Sequence, residues 1–137
     1  MTATRALPGG RIARRGEFFA GMAKTFPGLA TGHLARLYGT RLNDVVAMAD
    51  NRPDLLDPVA MTGDIGAQVV FAAREEMAMT LADAVMRRTG VGQLGDPGDA
   101  ALARAADLMA QELGWTEGRK RREIESVSSL FRLREAA

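Results

Sequence analysis

Apolar residues recur along most of this chain at helical spacing, and the runs are broken at prolines and glycines. Phe18, Phe19, Met22 and Phe26 share one helical face from about Gly16 onward, and Pro27-Gly28 closes that run. Thr31 is placed to cap a second, short helix carrying Leu34, Leu37 and Tyr38, with Gly39 as its stop. A third helix turns Leu42, Val45, Val46 and Ala49 inward. Pro53 and Pro58 bracket an irregular stretch in which Leu55 and Leu56 are expected to plug the core.

The segment from Asp64 to Thr89 predicts two helices. Asp64 is a candidate N-cap, and Ile65, Val69 and Ala72 or Ala73 form the first stripe. Thr80-Leu81-Ala82-Asp83 reads as a capping box with Asp in place of Glu or Gln, which puts a break near Met79. Gly90 to Gly98 is a glycine-rich loop. Asp96-Pro97 then predicts a helix with proline at its first position, carrying Leu102, Ala105, Ala106, Met109 and Leu113 up to Gly114. Thr116 caps the last helix, whose stripe is Ile124, Val127, Leu130 and Phe131. The expectation is an all-α fold, a compact bundle of about six helices. Residues 1–12 read as an extended lead-in and 13–137 as the helical domain.

Composition narrows this little. With 137 residues, 47% of them apolar, the chain suits one core, and its net charge of +1 selects no anionic partner. The distribution is uneven: residues 1–15 hold four arginines and no acid, while residues 44–76 hold seven acids against Arg52 and Arg74. Cysteine is absent, so neither a disulfide frame nor thiolate chemistry is available. No apolar run approaches the ~20 residues that span a bilayer, and no secretory signal is evident.

Few residues suggest chemistry. Gly90-Val91-Gly92-Gln93-Leu94-Gly95 matches the glycine string of dinucleotide sites, but it follows a helix rather than a strand and precedes Asp96 and Asp99. It therefore reads as a flexible inter-helix loop. His33, the single histidine, has no serine, lysine or carboxylate beside it in sequence and reads as a surface or boundary residue. Glu75, Glu76 and Asp83 lie near Arg74, Arg87 and Arg88. That grouping reads as a salt-bridge cluster at the helix break, with Asp83 and Arg87 in the favourable i, i+4 order. Arg87-Arg88-Thr89 could hold an anion, although cations at a helix C-terminus also complement its dipole. Arg119-Lys120-Arg121-Arg122 covers a full helical turn and so presents no single basic face.

Five segments in order resemble one family: Leu7-Pro8-Gly9-Gly10; Leu37-Tyr38-Gly39-Thr40-Arg41; Phe71 to Ala78 running on through Thr80-Leu81-Ala82-Asp83; Arg87-Arg88-Thr89; and Leu113-Gly114-Trp115. Together they resemble the C-terminal helical domain of FAD-dependent glycerol-3-phosphate dehydrogenases and α-glycerophosphate oxidases, from Leu7 to about Ile124. Two positions depart from that pattern: Gln68 stands where an acid is expected, and Arg11 where Asp is frequent. The resemblance implies a parent enzyme that oxidises sn-glycerol 3-phosphate to dihydroxyacetone phosphate with FAD and passes electrons to quinone, or to oxygen in the oxidases.

No catalytic, cofactor-binding or metal-binding residue carries over to this segment. Glu75, Glu76, Thr80, Asp83, Arg87, Arg88 and Thr89 are structural or interface candidates. The implied partner is an N-terminal flavin domain preceding residue 1, with homodimer formation and peripheral membrane contact of the parent enzyme as further expectations. A cytoplasmic location and no nucleic-acid partner complete this reading. The alternative is a free-standing helical interaction module whose basic last helix contacts nucleic acid or an acidic partner.

Overall fold

A computed structural model of the chain describes residues 7–137. The described residues form an all-α bundle with a single isolated antiparallel bridge, Pro58 to Ile65, and no strand. Six helices carry it: α1 (Arg15–Thr25), α2 (Thr31–Tyr38), α3 (Leu42–Ala47), α4 (Gly66–Glu75), α6 (Asp99–Leu113) and α7 (Glu117–Glu135). Between α4 and α6 lies a short α-helical turn, α5 (Leu81–Asp83), that widens into a π-helical turn over Ala84–Arg88. Single 3-10 turns, Gly39–Arg41 and Pro53–Leu56, complete the helical path.

The hub is α4. Every residue from Gly66 to Ala72 is buried, as befits a helix enclosed on all sides. Its main neighbour is α6, which turns Ala101, Leu102, Ala105, Ala106, Leu108 and Met109 inward. The alanines let the two backbones approach. At Gly66 an added Cβ would lie 3.1 Å from Leu108 Cδ1 and 3.3 Å from the Leu55 Cα, so the contact tolerates little more than hydrogen there. Truncating a fully buried leucine such as Leu108 to alanine costs about 2–5 kcal/mol, a large share of a domain's stability. Across α6 and α5 lies α7, which inserts Val127 and Phe131. By contrast α1 buries no residue fully and rests on α2 through Phe18, Phe19, Met22 and Phe26.

Several local expectations need correction. Thr31 is the first residue of α2, not its cap, and no side chain caps that end. Asp64 does not cap α4 either. Gln68 reaches back instead, its Oε1 accepting from the Ile65 amide at 2.7 Å, which leaves the Asp64 carboxylate free for longer-range bonds. Pro97 does not open α6: Asp96 Oδ1 accepts from the Gly98 amide at 2.9 Å, and this tight turn delays the helix to Asp99. Leu37 and Leu130 sit at the rims of their stripes and are partly exposed. The first run stops just before Pro27-Gly28, with Phe26 as the C-cap of α1 and not a member of it, and the stop at Gly114 and the cap at Thr116 form as the pattern predicts.

Residues 1–6 of the lead-in lie outside the described residues. Leu7 to Gly10 form a turn closed by Gly10 N to Leu7 O at 2.9 Å, and this turn docks on the end of α2. The Thr40 amide donates to Gly9 O at 3.1 Å, so the lead-in is fastened before α1 begins.

Candidate functional site

The densest polar construction in the bundle centres on Asp64, which is fully buried. Its Oδ1 accepts from Gln68 Nε2 at 2.7 Å and from the Gly90 amide at 2.8 Å. Its Oδ2 accepts from the Thr62 hydroxyl and meets His33 Nε2 at 3.2 Å. Gln68 Nε2 also approaches the Tyr38 hydroxyl at 3.4 Å, and Tyr38 in turn donates to the Arg88 carbonyl at 3.3 Å. Burial pushes the Tyr38 hydroxyl well above its ordinary pKa, so it serves as a neutral donor. One buried carboxylate thus joins α2, the loop before α4, α4 itself and the glycine loop. A buried network satisfied at every member fixes a unique packing, whereas a half-satisfied one would be costly.

Asp64 bonded to a partly exposed histidine resembles the orienting half of a catalytic triad, but the nucleophile is not in place. The Thr62 hydroxyl binds the same Asp64 oxygen as His33 and is not directed at the imidazole. The same contacts test the glycine string. The Gly90 amide is committed to Asp64, and a Cβ on Gly90 would come within 2.7 Å of that carboxylate. A Cβ on Gly92 would meet Phe131 at 2.9 Å. These glycines exist for close packing, and a pyrophosphate placed there would face a buried carboxylate. The glycine string therefore does not fit the pyrophosphate of FAD. The loop is therefore not open throughout: Gly90 to Gly92 are buried, and the Gln93–Gly98 half lies open. Among the described residues, no cluster of His, Asp or Glu is grouped to hold a metal ion.

The structure divides the sequence-predicted residues among three tasks. Thr80 and Asp83 form the capping box: Thr80 Oγ1 accepts from the Asp83 amide at 3.1 Å, and Asp83 Oδ2 accepts from the Thr80 amide at 3.1 Å. The Thr80 hydroxyl, the amides of Met79 and Thr80 and the Arg87 charge hold the Asp83 carboxyl below its ordinary range. Arg87 pairs with Asp83 at 3.3 Å, but both lie on one segment, so the pair does not lock α4 to α5. The inter-helix ion pair of this group is instead made by Arg74 of α4, which grips Glu112 of α6 through Nε at 2.6 Å and Nη2 at 3.0 Å. Glu75 and Glu76 join no ion pair with Arg87 or Arg88. Thr89 is buried and donates to the Ala84 carbonyl at 2.8 Å, closing the π-turn.

Arg87, Arg88 and Thr89 also line a half-open pocket of about 310 Å³, shared with Arg41, Glu76 and Gln93. The basic run on α7 is dispersed as its spacing predicts. Arg119 stacks on Trp115 and pairs with Glu123, while Lys120 bonds Asp107 and Glu117. Sequence reading missed the His33–Asp64–Gln68–Tyr38 network. The available signal was two polar residues, Asp64 and Gln68, four apart at the start of a segment that is otherwise apolar.

What the fold defines is an all-helical module whose buried polar groups bond to one another. The family described as the C-terminal domain of alpha-glycerophosphate oxidase matches residues 1–120, and the chain belongs to that family. A glycerol-3-phosphate dehydrogenase of Synechocystis is 40% identical over 87 residues, which are 62% of this chain and 16% of that protein. One from Mycobacterium leprae is 33% identical over 99 residues, covering 71% of this chain and 17% of the relative. The mitochondrial enzyme of Rattus norvegicus is 32% identical over 102 residues, 70% of this chain and 14% of its own. The chain thus spans about one sixth of the length of these relatives. No solved structure matches it.

Proposed function

We propose that this chain works as the non-catalytic helical C-terminal module of an FAD-dependent glycerol-3-phosphate dehydrogenase. On this reading the parent enzyme oxidises sn-glycerol 3-phosphate to dihydroxyacetone phosphate, with quinone as the electron acceptor. FAD would be held by a separate flavin domain, which the helical module covers and steadies. The observation that carries the reading is the family match over residues 1–120, made by a chain that spans only a sixth or so of relatives named for that activity. The internal chemistry is consistent with it: among the described residues the buried carboxylate is bonded to Gln68, the Gly90 amide and His33, which commits these groups to one another. The same reading puts the parent enzyme in the cytoplasm, in peripheral contact with the membrane. No helix among the described residues is long and apolar enough to cross a membrane.

The test is an absorbance scan and a dye-reduction assay on this chain and on a parent enzyme that carries it. The chain alone should be colourless and inert towards glycerol 3-phosphate, while the parent should be yellow and turn over. Stoichiometric flavin on the chain alone, or turnover above a buffer blank, would overturn the proposal.

A further inference from the structure

We propose that the arginine-lined pocket beside α2 binds a small phosphate-bearing anion, either inorganic phosphate or a phosphate monoester. The inference goes beyond the module reading and does not depend on it. Three arginines from two distant stretches of chain, Arg41 and the Arg87-Arg88 pair, line one concavity with Gln93, and among the described residues Glu76 is the only carboxylate-bearing one in its wall. Its volume of about 310 Å³ lies at the small end of the range for ligand sites, large enough for a phosphoryl group and a short organic tail.

The three cations are incompletely paired. Arg88 has no carboxylate within ion-pair distance among the described residues. Arg87 commits one terminal nitrogen to Asp83, whose other oxygen already serves the Met79 and Thr80 amides. Arg41 lies 4.8 Å over the Phe71 ring, and its Nε is 3.8 Å from Asp44. Guanidinium forks suit tetrahedral phosphate oxygens, and several of their donors remain available here.

The groups also sit on fixed backbone. The Arg88 carbonyl is tied to Tyr38, Thr89 closes on Ala84, and the turn before Arg41 is fastened to Gly9. Complementing a helix dipole would account for Arg87 and Arg88 at the end of their turn. It bears less on Arg41, which lies between the 3-10 turn Gly39–Arg41 and α3, at the end of one and the start of the other.

The 137-residue chain, labelled with nitrogen-15, would be titrated with inorganic phosphate and separately with glycerol 3-phosphate, ionic strength being held with sodium chloride. Saturable shifts should appear at the amides of Arg88, Thr89 and Gln93. Arg88→Gln and Arg41→Gln should each weaken binding by at least about tenfold, the loss of one charge-assisted hydrogen bond. Glu76→Gln should tighten it, and Arg121→Gln, on the far exposed face of α7, should leave it unchanged. The amide spectrum of each variant reports that it is folded. Saturation by both ligands means that the phosphoryl group alone is read; saturation by glycerol 3-phosphate only means that the ester is read, and either result supports the site. Linear shifts, shifts reproduced by chloride, or equal losses in Arg88→Gln and Arg121→Gln would overturn it and leave the three arginines as surface cations.

Discussion

Gly9 and Gly39 meet backbone against backbone. Gly39 ends α2 at φ 56°, ψ −133°, and a Cβ placed on it would run into the Gly9 carbonyl. In return, a Cβ on Gly9 would come within 2.5 Å of the Tyr38 carbonyl oxygen. Two glycines thirty residues apart therefore let the lead-in reach the end of α2, where Thr40 N bonds Gly9 O. Gly39→Ala should be destabilising through both the left-handed conformation and the collision, by roughly 3 kcal/mol. Gly28 supplies the control. It also has positive φ, at 86°, but nothing lies within 4 Å of its would-be Cβ. Gly28→Ala should cost only about 1 kcal/mol, the conformational part alone. Chemical denaturation of both variants decides the matter, and equal losses would refute the backbone contact.

The capping box gives a second expectation, with a pH signature. Thr80→Ala removes the acceptor for the Asp83 amide and should cost about 1 kcal/mol. Asp83 has its folded pKa held below the ordinary carboxylate range, first by the Thr80 hydroxyl. A depressed folded pKa stabilises the protein above the ordinary value, and that contribution is lost as the pH falls through the folded pKa. The advantage of the wild type over Asp83→Asn should therefore be full at pH 7 and shrink below about pH 4. Denaturation midpoints measured from pH 7 down to pH 3 would show this, and a gap that did not vary with pH would count against a charged cap.

Much of the bundle was legible because its cues are local. The stripes of α6 and α7, the breaks at Pro27-Gly28 and Gly114 and the caps at Thr80 and Thr116 all depend on residues within one or two turns of each other. The polar interior was not legible because its bonds are long-range. His33 and Gly90 reach Asp64 across 31 and 26 residues, and nothing near Asp64 in sequence announces either partner. Local reading therefore assigned Asp64 the commonest task of a short acidic side chain before a helix. The arginine pocket shows the same gap: Arg87 and Arg88 were visible as a pair, but Arg41 joins them only through the packing of α2 on α4 and the π-turn.

Arg74 and Glu112 join α4 to α6 through a two-point contact. The Glu112 hydrogen bond also raises the Arg74 pKa. Because Arg74 is about half exposed, its coupling in a double-mutant cycle with alanine should be modest, about 0.5–1 kcal/mol, and should fall in high salt. Arg74→Lys keeps the charge but loses the fork, so it should recover only part of the coupling. Full recovery by lysine would show that charge alone, and not the bidentate geometry, matters.

Gln68 offers the sharpest test of the buried network, because the family resemblance puts an acid at its position. Here the Gln68 amide donates to Asp64 at 2.7 Å while its Oε1 takes the Ile65 amide. Gln68→Glu keeps the shape and the bond to Ile65 but sets a second carboxylate against the first in a fully buried site. Two such groups cannot both ionise at that distance, so one must hold a proton, and the folded pKa of the introduced glutamate should rise above its unfolded value. A group raised in this way costs stability at neutral pH, and the cost fades as the pH falls towards the unfolded glutamate value near ~4.3. The substitution should therefore cost about 3 kcal/mol at pH 7 and much less near pH 5. Paired denaturation curves for wild type and variant at the two pH values provide the measurement. A Gln68→Glu protein as stable as wild type at pH 7 would mean that the Gln68 amide proton is not what stabilises the Asp64 carboxylate.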